Sequence, residues 1–554
     1  MIIRWMRSGF VWIVGAIIFS GVGLGGVAHS QDAAPVVVAV EDLGAGDWMP
    51  QLNSGTNRVI YDLVNETLIG LDAERNHVPR LAKSWDPSED GLTWHFTLQE
   101  GIQFHDGWGE MTADDVKFTW AMYLRDSSLM SRSKRWSAAV SGDVEKNFEI
   151  VNDYEFVLHG NKPNFLLPAQ LSYSIDTLQI QSKKYWDTTG EEKARTHLIG
   201  TGPYRFVGQQ PGIEVELEAV ENHWRHTPSV KQLIIKVVAD NAARMAQTRT
   251  GEIDVAAIPP SLVPEAKAVG LKLLQSENAY QCNVHFGGIY PFEHLEKEAS
   301  GLHKPNLPWV QDDHPEKGMA IRKAMSLSID RQLIADSLLS GLGKPVRAPL
   351  QLAFITDKTF ELEVFDPEQA KNLMEEGGYP DGFTIDMPIF KQGGRLAAVD
   401  VSNALAGMWE EHLGIKVNRA PMEFKPTFRA HIEKKTTGDP LPGSDAVGKV
   451  WGFCQNPADE PAEQLSGGIM PGGSFTNFHH EAAQELIPKI LRTGNAEERT
   501  LLHAELGRRL AEDYTSYGVV APSAPWVISE RVASLPVLPG RGEFTNLEYL
   551  ELNE

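Results

Sequence analysis

The chain has 554 residues, with 74 Asp and Glu against 51 Lys and Arg and a formal net charge of −23. That excess of carboxylates argues against nucleic acid or an anionic membrane surface as a partner. The length is enough for about three to four units of ordinary domain size, each with a core of its own.

Residues 1–30 read as a secretory leader. Arg4 and Arg7 precede an apolar stretch over 10–27, and Ala28-His29-Ser30 offers small residues for cleavage, so the mature chain is expected to begin at Gln31. An uncleaved anchor is the alternative, disfavoured by the glycines and the small-residue exit. No cysteine follows the stretch, so a lipid anchor has no support. Nothing after it approaches the roughly 20 apolar residues of a spanning helix.

Val36–Val40 is a continuous apolar run, the pattern of a buried strand, and 43–57 reads as loop. Leu92, Trp94, Phe96 and Leu98 alternate with polar residues, which predicts a half-buried strand entered by a turn at Asp90-Gly91. Thr112 with Asp115 three residues on predicts a capped helix. A strand follows at 234–238 and a helix over 242–250, closed by Gly251. Further on, Ile321, Met325, Ile329 and Leu333 share a helical face, which a cap at Asp330 breaks. Asp366-Pro367 opens a helix that Gly377-Gly378 ends. Another face (Val401, Leu405, Met408, His412) stops at Gly414 before a strand over 415–417, and Asn495 with Glu498 starts a last helix to about Tyr514. Strands alternate with helices throughout, so the class is α/β or α+β in lobes.

Several patterns look chemical and are set aside. The G-x-G-x-x-G at 21–26 lies inside the leader and has no strand before it. Asp86, Ser88, Asp90 and Gly91 imitate the start of a calcium loop, but its twelfth position is Thr97. His285, His294, His303 and His314 are spaced too irregularly for a metal and read as a solvated insertion, and His479-His480 are adjacent. No metalloprotease helix, nucleophile elbow or phosphate loop is present. The residues therefore point to no catalytic group, no metal and no cofactor. The two cysteines, Cys282 and Cys454, leave two alternatives: a disulfide or a pair of buried thiols.

Five blocks in fixed order are more informative: VPRLAKSW (78–85), DGLTWHFTL (90–98), GIQFHDG (101–107), TADDVKFT (112–119) and GTGPYRF (200–206). With YDLVNETLIGLD (61–72), Gly251-Glu252-Ile253-Asp254, Arg322-Lys323-Ala324, Asp330-Arg331, Asp366-Pro367-Glu368-Gln369-Ala370 and Gly377-Gly378-Tyr379, they resemble the family five extracytoplasmic solute-binding proteins of ABC importers. These are receptors of the oligopeptide, dipeptide and nickel type. The resemblance implies an α/β, periplasmic-binding-protein-like fold: two lobes joined by a two-crossing hinge, plus an inserted third domain, as in the large peptide-binding type. Lobe I would combine 31–75, 199–278 and 516–554. The inserted domain would be 76–198 and lobe III 279–515, with crossings near 278 and 516.

The resemblance also implies a bridge between Cys282 and Cys454, because Trp451-Gly452-Phe453-Cys454-Gln455-Asn456-Pro457 is similar to the cysteine stretch of oligopeptide-binding members. Those members carry an aspartate two residues after the cysteine to hold a peptide's amino terminus. Here that position is Asn456, a neutral amide that lacks the charge; Asp459 is the nearest substitute. The expected pocket is Trp451, Phe453 and Asn456, with Asn53 and Ser54 from the opposite lobe. The expected protein is a periplasmic monomer that captures a peptide-like solute and hands it to inner-membrane permease subunits with their ATPases. The alternatives are an oligosaccharide, opine or metal chelate as solute, a secreted hydrolase, and a chaperone-like role for extended polypeptides.

Overall fold

Thr93–Leu98 alternates as its sequence requires, with Trp94, Phe96 and Leu98 buried, and it pairs antiparallel with Ala82–Pro87 and Glu155–His159. In the computed structural model, which describes residues 34–43, 46–50, 57–125, 143–172, 178–289, 303–349, 362–423, 449–455, 480–538, 540–542 and 544–553, this is the second strand of a four-stranded sheet. The helix Ala113–Tyr123 covers it. Thr112 and Asp115 form the reciprocal cap, the Thr112 N–H donating to Asp115 Oδ2 at 2.9 Å. Trp94, Phe96, Trp120, Phe148, Phe156 and Tyr185 fill the core between them.

A second sheet has seven strands, in the order Tyr204–Gln210, Glu214–Ala219, Gln232–Val237, Val36–Val40, Val255–Ala257, Ala524–Ile528 and Lys272–Ser276. Val36–Val40 is at its centre, parallel to both neighbours. That placement explains its unbroken apolar run, because one face packs on Tyr204, Leu217 and Trp526 and the other on Met245, Ile253 and Val527. The helix Asn241–Thr250 ends at Gly251 in the left-handed region (φ 77°), as predicted.

A third sheet is antiparallel, ordered Gly343–Pro345, Ser516–Pro522, Gln281–Phe286, Val450–Gln455. Its apolar core joins Cys282, Val284 and Phe286 to Ile321, Met325, Leu405 and Trp409, on the helices Pro315–Leu327 and Ala398–Leu413. The parallel pair Thr384–Lys391 and Lys416–Glu423 completes this part.

The chain passes between the second and third sheets twice. It goes from Lys272–Ser276 to Gln281–Phe286, and returns from Ser516–Pro522 to Ala524–Ile528 with only Ser523 between. The crossings touch, the Ala279 N–H donating to Pro522 O at 2.9 Å. The return crossing falls at Ser523 rather than near 516, because Ser516–Pro522 pairs with Gln281–Phe286 and stays in the third sheet. His285 also departs from the sequence expectation. It is on a strand and 2 % exposed, not in a solvated insertion.

A buried ionic hub fastens the first sheet's domain to the second. Glu66 accepts from Trp224 Nε1 (2.9 Å), Arg225 Nε (3.1 Å), Thr201 Oγ1 (3.1 Å) and Arg80 Nε (3.4 Å). Burial alone would push its carboxyl up, but His223, Arg80 and Arg225 outweigh burial and hold it well below the usual carboxylate range. His223 Nε2 lies 2.8 Å from Thr201 O and 3.8 Å from Glu66 Oε2, so the ring bonds to the carbonyl and acts on the carboxylate through space. The glycines of GTGPYRF are required beside this hub. A Cβ at Gly200 would sit 2.0 Å from Val64 O, and one at Gly202 would sit 2.4 Å from Leu63 O.

Candidate ligand site

The strand Val450–Gln455 alternates across its sheet. Val450 and Cys454 enter the core of the third sheet, while Trp451 and Phe453 project from the opposite face. Opposite Trp451 and Phe453 on the neighbouring strand are His285 and Asn283, and opposite Gln455 is Gln281. This face therefore carries a row of polar side chains, Gln281, Asn283 and His285, joined by Ser516, all 2 % exposed or less. Phe390 packs against both aromatics, its ring centroid 6.0 Å from Trp451 and 6.2 Å from Phe453.

Burying polar groups requires partners, and most have them. Gln281 Nε2 donates to Asn283 Oδ1 (2.6 Å) and Ala348 O (2.7 Å), and Ser516 Oγ lies 2.9 Å from His285 Nδ1. Burial pushes the His285 imidazole down to about 3, so it is neutral at physiological pH. Two atoms stand out. Among the described residues, Trp451 Nε1 and Gln281 Oε1 are buried without a hydrogen-bond partner. One is a donor and the other an acceptor; Trp451 is opposite His285 and Gln281 opposite Gln455, so the two are separate open groups on the same face.

Cys282 and Cys454 face each other directly and form a disulfide, with Cα atoms 4.0 Å apart. It locks the strand that carries Trp451 and Phe453 onto the strand that leaves the first crossing. Asn53, Ser54 and Asn456, together with Asp459, lie outside the described residues. Across from this strand, Lys391 Nζ is 3.5 Å from Glu41 Oε1, just after the central strand of the seven-stranded sheet. Burial raises the Glu41 carboxyl above its ordinary range, against the opposing pull of Lys391 and Arg244. No motif marks Gln281, Asn283, Glu41 or Lys391 in the sequence. The polar–apolar alternation of 281–286 was the available signal for the first two. No group of metal-ligating side chains converges among the described residues: His303 pairs with Asp312 (2.6 Å), and His480 caps a helix and pairs with Asp513 (2.5 Å).

Residues 76–439, more than half of the chain, match the profile described as bacterial extracellular solute-binding proteins, family 5 Middle. The chain belongs to that family. Its members are extracytoplasmic solute-binding proteins. Among curated relatives, the chain is 23% identical to heme-binding protein A of Haemophilus influenzae over 88% of this chain and 84% of that one. It is 26% identical to the dipeptide-binding protein of Escherichia coli over 65% of this chain and 66% of that one. Among solved structures, AppA of Bacillus subtilis in complex with a nonapeptide superposes with a TM-score of 0.73 at 18% identity, covering 94% of this chain and 99% of that one. NikZ of Campylobacter jejuni with Ni(L-His) gives 0.72 at 20% identity, covering 92% and 97%. These structural likenesses establish the periplasmic-binding-protein fold of family 5. No helix among the described residues of this family 5 chain is long and apolar enough to cross a membrane.

Proposed function

We propose that this chain is the periplasmic receptor of an ABC importer, capturing a peptide-like solute between two lobes and delivering it unchanged to membrane permease subunits served by their own ATPases. The observation that carries this reading is the pair of adjoining crossings between two sheets with separate cores. Two short connections let such bodies rotate while each core stays intact. In the proposed division, lobe I holds 31–75, 199–278 and 524–554, the inserted domain 76–198, and lobe III 279–522. Closure is favoured by as much as the solute binds the closed arrangement better than the open one. The proposed pocket is Trp451, Phe453 and Asn456, faced by Asn53 and Ser54. The protein acts as a monomer without turnover, after cleavage of its leader behind Ser30.

Relatives named for dipeptides and oligopeptides support a peptide-like solute. A second reading keeps the receptor and changes the solute to a metal chelate or opine. It is favoured by Asn456 in place of an aspartate, and by structural neighbours holding Ni(L-His) and agropinic acid. Native mass spectrometry of gently purified protein tests both: a retained mass matching short peptides supports the first, and a chelate or opine mass replaces it with the second.

A further inference from the structure

Val450–Gln455 is the edge strand of its sheet among the described residues. Cys454 stands opposite Cys282 at a Cα separation of 4.0 Å, the close type of antiparallel pair, in which the two residues do not exchange main-chain hydrogen bonds. The Cys454 N–H and C=O therefore point away from the neighbouring strand, toward the edge. One side chain takes both. The Cys454 N–H donates to Gln392 Oε1 at 3.1 Å, and Gln392 Nε2 donates to Cys454 O at 3.0 Å.

A carboxamide offers the same donor and acceptor as a peptide unit. Gln392 thus stands in for one residue of an added strand. It is 3 % exposed and held in place: its carbonyl accepts from Arg395 N at 3.1 Å, and the Ala397 N–H that follows donates to Tyr280 Oη at 3.1 Å. Cys454 is consequently fixed on both sides, by a disulfide and by a side chain that mimics backbone.

Extended peptides that bind by strand addition draw their affinity from such outward main-chain groups, at every second residue of an edge. We propose that Gln392 is a specificity-determining residue: by occupying the edge at Cys454 it bars extended oligopeptides from pairing there, and so restricts the protein to short solutes held by side chains. This rests on the proposed pocket beside Trp451 and Phe453, and it adds a length limit that the pocket alone does not impose.

The test uses the full mature chain and a mixture of synthetic alanine-rich peptides of two to nine residues, with bound lengths read by native mass spectrometry and affinities by calorimetry. Wild type is expected to prefer di- and tripeptides, and Gln392→Ala to gain about tenfold for peptides of six or more residues, the effect of two exposed main-chain hydrogen bonds. Gln392→Met fills nearly the same space without the hydrogen bonds, so it keeps the test open if the alanine variant folds poorly, and it should show the same gain. A length profile shared by wild type and both variants would overturn the proposal while leaving the peptide receptor intact. Failure of every peptide to bind any of the proteins would overturn both together.

Discussion

Two buried polar regions of this molecule are built on opposite terms. At the Glu66 hub, four donors converge on one carboxylate, so the charge is fully satisfied and the joint between two domains is fixed. On the outward face of the third sheet, Trp451 Nε1 and Gln281 Oε1 stay unpartnered among the described residues, although their neighbours are hydrogen bonded. A satisfied buried network rigidifies, whereas an open buried donor or acceptor costs stability. Trp48 Nε1, Tyr61 Oη and Trp526 Nε1 are equally unpartnered among the described residues, inside the core of the seven-stranded sheet, so an open group points to binding only where it borders the proposed pocket, as Trp451 does.

The largest effect should come from breaking the hub. Glu66→Ala removes the carboxylate that Arg80 and Arg225 share, leaving Arg225 only Glu548 as a counter-charge among the described residues, and should cost about 3–5 kcal/mol, read as a lower urea midpoint, with solute affinity of the folded fraction unchanged. A loss of affinity equal to that of a pocket variant would erase the distinction between the two regions. Next is the disulfide. Cys282 and Cys454 are separated by 172 residues, and replacing both by serine should cost about 2–4 kcal/mol, measured the same way.

The contrast sharpens at Trp451. Because its ring lies off the apolar core of the third sheet, Trp451→Ala should weaken solute binding by about tenfold or more on calorimetry while moving the melting temperature little. Unchanged affinity would remove it from the site. Acid provides a further comparison. Burial lowers His105 to about 4, His285 to about 3 and His503 to about 4. Unfolded histidines take up protons near 6.5, so stability should decline as pH falls below that value. The depressed Glu66 adds its own loss as pH falls below the ordinary carboxylate range. A denaturation midpoint flat from pH 7 to 4 would contradict the burial of these groups. The smallest effect is local: Thr112→Ala should cost about 1 kcal/mol through loss of the helix cap, without touching binding.

Local signals carried much of the fold in the sequence. The Thr112–Asp115 cap, the stop at Gly251, the Asp366-Pro367 start and the alternation of Thr93–Leu98 depend on neighbouring residues only, and each is where those residues put it. The crossing at Ser523 was less legible, because the strands on either side are buried throughout and one residue between them leaves no composition change to mark the exit. His285 misled for a related reason. In sequence it is a polar residue near other histidines, and only the packing of the third sheet buries it. Gln392 had no signal at all, since a glutamine in a turn acquires its meaning from Cys454, 62 positions away.

The most direct test of the receptor account is small-angle scattering of the mature chain during titration with short peptides. The account predicts a saturable fall in the radius of gyration as the two sheets' bodies close, with the peptide recovered intact. A radius unchanged at saturating peptide, with the peptide demonstrably bound, would contradict it.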